Sequence, residues 1–142
     1  MRTIVIENVF SVAATPDEIL AHLAEPMNYI GLSPLIVSVN DVRTVEDTVH
    51  YVAVERFLFG PFRHDNRIAV TLRTGKDRLW GEVVSPGGVR MDYGYTFVAE
   101  GDRTTVTDTL RLRAPFGLRR FAAGQARTVQ LHRARVLTER LS

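Results

Sequence analysis

A chain of 142 residues, 45% apolar and 24% charged with a formal charge of +2, has the size and composition of one globular domain spanning 1–142. It contains no cysteine, which excludes disulfides, thiolate metal sites and a cysteine nucleophile, and no run near the ~20 apolar residues of a membrane span. The opening MRTIVIENVF is too short and too soon charged for a signal peptide, so a cytoplasmic protein is expected, and so small a net charge gives no argument for nucleic acid.

In chain order, RTIVIENVFSV (2–12) is β-branched and roughly alternating, a strand pattern. TPDEILAHLAEP then opens a helix: Thr15 at the N-cap, Pro16 at the first helical position and Glu18 completing a capping box. Pro26 ends or redirects it, and PMNYIGLSP leaves room for only a short second helix before Gly31 and Pro34. Six strand-like runs follow from Leu35 to Arg113, separated by short turns such as Gly60-Pro61, Gly75-Lys76-Asp77, Pro86-Gly87-Gly88 and Gly101-Asp102. Turns this short join antiparallel strands, because parallel pairing needs long crossovers. Residues 118–141 contain no proline and only Gly124, enough for about six turns of helix. On a wheel, Leu118, Phe121, Ala122, Val129 and Val136 share one face, with Gln125 and His132 among them and arginines on the flanks and back. The expected class is α+β: a curved seven-stranded antiparallel sheet wrapped on a long C-terminal helix, with two short helices between strands 1 and 2.

This order, with TPDEILAHLAEPMNYIGLSP between the first strand and the meander, resembles the START-like (SRPBCC) superfamily of the helix-grip fold, and within it the polyketide cyclase/dehydrase and lipid-transport group. The resemblance covers the whole chain but rests on architecture, since the family has no short catalytic signature to match. It implies a hydrophobic cavity between sheet and C-terminal helix, closed at one end by the short helices, that takes lipids, polyketides or other amphipathic molecules. Some relatives catalyse cyclisation or dehydration there, while others carry or sense the ligand.

Several strands place polar groups on faces that should point inward. In FRHDNRIAV, period two puts Phe62, His64, Asn66, Ile68 and Val70 on one face, so a histidine and an asparagine accompany the core positions. The plainer alternatives are that both lie in water near the Gly60-Pro61 turn, or that His64 is a core histidine bonded to backbone. Met91, Tyr93, Tyr95 and Phe97 form an aromatic, amphipathic face that suits a pocket wall or packing under a helix equally well. Asp108 stands among Val106, Leu110 and Leu112; a buried carboxylate needs a partner or a raised pKa, so Asp108 is either a general base or an orienter of histidine, or a structural acceptor bonded to a backbone amide or an arginine. Gln125 and His132 are placed to meet an elongated ligand at two points, or to reach solvent from the edge of the helix face. The run 48–59 resists assignment: both faces carry one charge, Glu55 and Arg56, as a bulge would produce. Trp80 alternates with Arg78 and Glu82, onto an outer or edge face.

The four histidines show no metal-ligand spacing, and the phosphate-binding loop, dinucleotide fingerprint and nucleophile elbow are all missing, so no cofactor or metal is expected. The leading expectation is a binding module for a small hydrophobic or amphipathic molecule, contacted by Asn66, Met91, Tyr93, Tyr95, Phe97, Phe121, Gln125, Val129 and His132. The alternative is a cyclase or dehydratase using the same cavity, with His64 or Asp108 removing a proton and Tyr93 or Tyr95 donating to the enolate oxygen. A third reading uses residues 118–141, whose six arginines against Glu139 make a basic helix suited to an anionic membrane surface; a packed helix with a solvated back has the same composition. The seventeen arginines against one lysine, Lys76, suit phosphate or carboxylate recognition, but their spread along the chain fits codon supply better. Oligomeric state is not encoded in any pattern seen here.

Overall fold

The computed structural model describes residues 3–142, with Phe59 described by its backbone. β1 (Thr3–Val12) leads through Thr15 into α1 (Pro16–Leu23), whose cap is made as the sequence implies: Thr15 Oγ1 accepts from Glu18 N at 3.2 Å. The expected start of β1 at Arg2 lies outside the described residues. A single 3-10 turn, Pro26–Asn28, carries the chain into α2 (Tyr29–Leu32), a helix so short that Gly31 already leaves it at φ +87°. Six strands follow: β2 (Ile36–Val45), β3 (Thr48–Phe59), β4 (Phe62–Gly75), β5 (Arg78–Ser85), β6 (Val89–Glu100) and β7 (Arg103–Arg113). After Pro115 and a 3-10 turn, α3 (Arg119–Arg140) runs for 22 residues.

The seven strands form one antiparallel sheet in the order β1-β7-β6-β5-β4-β3-β2, so the meander is closed only by β1 pairing back onto β7. Sheet curvature and α3 enclose a core that includes Val12, Ile19, Leu23, Leu32, Leu72, Leu79, Val106, Leu110 and Leu137, each at most 1% exposed. At roughly 1.5–3 kcal/mol for each fully buried large aliphatic side chain, these positions dominate the gain from folding.

Strand faces follow period two wherever the pattern was clear. On β7, Thr104, Val106, Asp108, Leu110 and Leu112 are buried, and on β6 Tyr93, Tyr95 and Phe97 are buried. Trp80 points outward, where the Arg78 guanidinium lies 4.1 Å from the centre of its ring. The bulge that would have explained the mixed faces of β3 is not there. Its register with β4 runs without a break from Val49↔Leu72 to Phe59↔Phe62, and the irregularities fall in β2, between Ile36 and Ser38 and between Asn40 and Arg43. Both faces of β3 carry a charge for separate reasons: Arg56 pairs outside the barrel with Asp65 at 3.0 Å, whereas Glu55 points inward.

The helix α3 also buries a seam that its hydrophobic pattern does not mark. Its buried residues are Ala126, Gln130, Arg133 and Leu137, spaced four, three and four apart. Gln130 Nε2 donates to Ile6 O (3.1 Å) and Asp108 O (3.0 Å), and Arg127 Nη1 donates to Glu7 O (3.1 Å). Polar groups therefore fasten α3 to β1 and β7, and the stripe Leu118, Phe121, Ala122 and Val129 is left facing the space between helix and sheet.

Candidate functional site

That space is a cavity of about 380 Å³, within the range typical of small-molecule sites. Its wall is mainly apolar, built from Ile68, Val70, Val83, Met91, Leu110 and Leu112 of the sheet and from the stripe on α3. Its rim, where the lining residues are exposed, is set by His64 on the β3–β4 hairpin, Pro86 at the β5–β6 turn, and Leu118 and Phe121 at the start of α3. Phe57 and Phe121 meet across it with ring centres 6.4 Å apart. Tyr29 and Ser33, around α2, close another part of the wall.

Polar groups gather in two places. At the inner end are Tyr29, Tyr51, Tyr93, Tyr95 and Arg133. The Arg133 guanidinium is held by the fully buried Asp108, with Nε at 3.0 Å and Nη2 at 2.8 Å from the same carboxylate oxygen, Oδ2. Burial alone would push the Arg133 pKa down, but the Asp108 carboxylate outweighs it and holds the value above that of free arginine. The cation is permanent; both bonds to Asp108 are made by Nε and Nη2, and Arg133 lines the cavity. Asp108 Oδ1 is buried with no hydrogen-bond partner among the described residues. Tyr29 Oη donates to Leu23 O at 2.8 Å; burial pushes its pKa up to about 12. Tyr93 Oη donates to Thr71 O at 2.6 Å. Tyr95 Oη sits beside the Tyr29 hydroxyl outside good hydrogen-bonding geometry and has no partner among the described residues. Burial raises the pKa of Tyr51, Tyr93 and Tyr95 as well, so all four phenols stay neutral donors. Tyr51 makes no hydrogen bond among the described residues while lining the cavity.

The reach of Tyr93 to β4 depends on Gly81. Pairs are formed at Val70↔Val83 and Arg73↔Trp80, but between them the β4–β5 ladder opens. There Glu82 N bonds Thr71 Oγ1 at 3.0 Å, and the Thr71 carbonyl takes the tyrosine hydroxyl. A Cβ on Gly81 would collide with both the Thr71 carbonyl and Tyr93 Oη, so only glycine leaves the passage open.

The second polar group lies nearer the rim. Glu55 and Asn66 are directly paired across β3 and β4, which sets the Asn66 amide beside the Glu55 carboxylate. Asn66 Nδ2 also donates to Ser85 Oγ at 2.9 Å, and Ser85 Oγ donates to Pro86 O at 3.2 Å. Burial raises the Glu55 pKa, and the neighbouring Asn66 amide offsets part of that rise. His64 lines the cavity two residues further out and is exposed.

Of the residues singled out from sequence, His64, Asn66, Met91, Tyr93, Tyr95, Phe121, Gln125 and Val129 line the cavity. Asp108, Phe97 and His132 do not. Asp108 is turned to Arg133, so it is not brought together with His64, and an acid–base pair of those two is not assembled. Phe97 is core, stacked on Tyr95 with centroids 6.4 Å apart. His132 turns to the short helices, Nε2 3.0 Å from Gly31 O and Nδ1 3.0 Å from Arg135 Nη2. Sequence reasoning missed Arg133, hidden because a charged residue in an arginine-rich helix reads as solvated. It also missed Glu55, although continuing the β4 parity across the hairpin would have turned that residue inward. Among the described residues no group of three or more histidine, cysteine or carboxylate side chains is arranged to hold a metal.

Neither family models nor curated protein sequences give a match to this chain. Solved structures do. The ZhuI aromatase/cyclase from Streptomyces sp. R1128 superposes with a TM-score of 0.83 at 12% identity, over 99% of this chain and 94% of that one. The fold is the START-like helix grip. A START superfamily protein from Mycobacterium smegmatis matches with a TM-score of 0.76 at 13% identity, over 97% of this chain and 99% of the other. A norcoclaurine synthase from Thalictrum, solved with a transition-state analogue, gives 0.64 at 16% identity over 99% and 98%. Identities this low establish the helix grip and leave its chemistry to the residues of this chain.

Proposed function

We propose that this domain binds a small amphipathic molecule, polyketide- or lipid-like, in the cavity between sheet and α3. The observation that carries the reading is the pairing of an apolar wall with fixed donors at its inner end, the Arg133 guanidinium and the Tyr51 hydroxyl. Such a wall takes a ring system or acyl chain, and the donors take a carbonyl, carboxylate or phenolic oxygen at its leading end. Asp108 has the role of fixing the guanidinium plane and keeping it charged.

Native mass spectrometry of the protein purified gently from its own host tests this, followed by identification of whatever it releases. A single oxygenated lipid- or polyketide-like species supports the reading. Protein that is empty and also fails to bind such molecules in titration overturns it.

A cyclase or dehydratase is the second reading, favoured by the likeness to aromatase/cyclases along nearly the whole chain. In it Arg133 and Tyr51 would stabilise an enolate oxygen. His64 is the candidate base, since Asp108 is engaged by Arg133. A released pair of species differing by one water, with turnover lost in His64→Ala, would favour this reading over simple binding.

A further inference from the structure

Glu55 stands apart from the other carboxylates. Those that form ion pairs, Asp65, Glu82, Asp92 and Asp108, do so with arginine. Glu55 lines the cavity, is directly paired across the strands with Asn66, and forms no ion pair among the described residues. The Ser85 hydroxyl is committed to Pro86 O, so its oxygen accepts from Asn66 Nδ2, which fixes which end of the amide is the nitrogen. The Asn66 amide nitrogen is thus turned to Ser85, and the Glu55 carboxylate stands beside the same amide. A carboxylate held this way in an apolar wall needs a hydrogen-bond donor, and a cation satisfies it best. None of the other ionisable groups on the wall forms an ion pair with Glu55 among the described residues: Arg133 is tied to Asp108, the tyrosines Tyr29, Tyr51, Tyr93 and Tyr95 cluster with Arg133, and His64, two residues from Asn66 along β4, makes no ion pair with it. Along β3, Glu55 is four residues from Tyr51, or about 13 Å at the usual rise. The cavity thus offers an anion near its rim and a cation with phenols at its inner end.

We propose that Glu55, oriented by Asn66 and Ser85, is a binding site for a protonated amine carried by the cavity's ligand. The inference rests on the cavity being a ligand site and specifies the ligand further: an aromatic or aliphatic body with an amine at the rim end and an oxygen acceptor at the inner end. Asn66 and Ser85 are positioning residues in this scheme.

The test uses the intact protein and three naphthyl probes of similar size, naphthylethylamine, ethylnaphthalene and naphthylacetate, titrated by their fluorescence at neutral pH. The amine should bind about tenfold more tightly than the neutral hydrocarbon, as expected of one charge-assisted hydrogen bond. In Glu55→Gln that preference should fall to near unity while the hydrocarbon binds as before, which also shows that the variant is folded. Ser85→Ala should reduce the preference without abolishing it. Equal binding of amine and hydrocarbon by the unmodified protein overturns the amine site and leaves the cavity reading intact. A preference that survives in Glu55→Gln also overturns it. No binding of any probe, naphthylacetate included, overturns both.

Discussion

Replacing Asp108 by Asn would leave the Arg133 guanidinium buried beside a neutral amide, and replacing Arg133 by Met would leave the carboxylate alone. Each single change should cost about 3 kcal/mol, because an unpaired buried charge is dearer than the pair it came from. The double variant Asp108→Asn/Arg133→Met should regain most of that stability in urea unfolding while losing affinity for oxygenated ligands. Equal, additive losses would mean that the two residues do not act as a pair. Glu55 gives a different pH signature. Its pKa is raised in the folded protein, so the native state holds the proton more tightly than the unfolded chain does. The stability it contributes is complete below its ordinary value of 4.5 and is lost as pH rises through the folded pKa. Glu55→Gln, which cannot ionise, should therefore melt close to the unmodified protein near pH 4 and increasingly above it as pH rises past 4.5. A constant difference in Tm across that range would refute the assignment. At this scale the sequence was legible where a polar residue interrupts a clear strand pattern, as at Asn66 and Asp108. It was opaque where the partner is distant in sequence: nothing near Asp108 announces that residue 133, on the last helix, supplies its cation.

Strands could be read to within a residue or two from turn chemistry and period two, because each turn is short and each strand has one wet face. Helix α3 was legible in extent but only in part in facing. Phe121, Gln125 and Val129 of its apolar stripe line the cavity as expected, but His132 turns to Gly31 O, and the seam of Arg127, Gln130 and Arg133 that attaches the helix went unread because its hydrogen bonds carry no weight on a hydrophobic wheel. Two element-level devices can be tested. Gly81→Ala would drive Tyr93 off the Thr71 carbonyl and leave a half-buried acceptor unpaired, a loss of about 2–3 kcal/mol. Tyr93→Phe should cost less, about 1 kcal/mol, because the open passage is kept and only the bond is lost. At the far end of α3, Arg140 holds the short helices: Nη1 donates to Asn28 O at 2.7 Å and Nη2 to Ile30 O at 3.0 Å, with His22 Nε2 3.2 Å from Nη1. Arg140→Ala should speed amide exchange in residues 28–33 by about tenfold, with little change in the sheet. Unchanged exchange there would show that packing of Tyr29 and Leu32, and not the arginine, sets the position of α2.

For the whole molecule, the cavity is core that the fold does not fill. Alternation and turns announce a sheet that curls around a helix, but the volume left between them depends on where α3 is pinned, and the pins to β1 are polar contacts between residues more than a hundred positions apart. Glu7 with Arg127 and Ile6 with Gln130 are such pairs. Holding the helix off the sheet forgoes the contacts that a filled interior would make, so stability and capacity for ligand should trade against each other. Val129 is placed to test this, since it lies on the α3 stripe and its side chain borders the space. Val129→Phe should fill part of the cavity, raise stability by about 1 kcal/mol and weaken binding of the naphthyl probes by at least about tenfold. Bound ligand should do by mass action what the ring does covalently: saturation at a hundred times Kd should add about 2.7 kcal/mol to the unmodified protein and much less to the filled variant. A Val129→Phe protein that loses stability and still binds the probes would mean that the wall yields around the new ring. The space would then be a flexible interior and not a preformed site, and the fixed donors at Arg133 and Tyr51 would have to be assembled by the ligand itself.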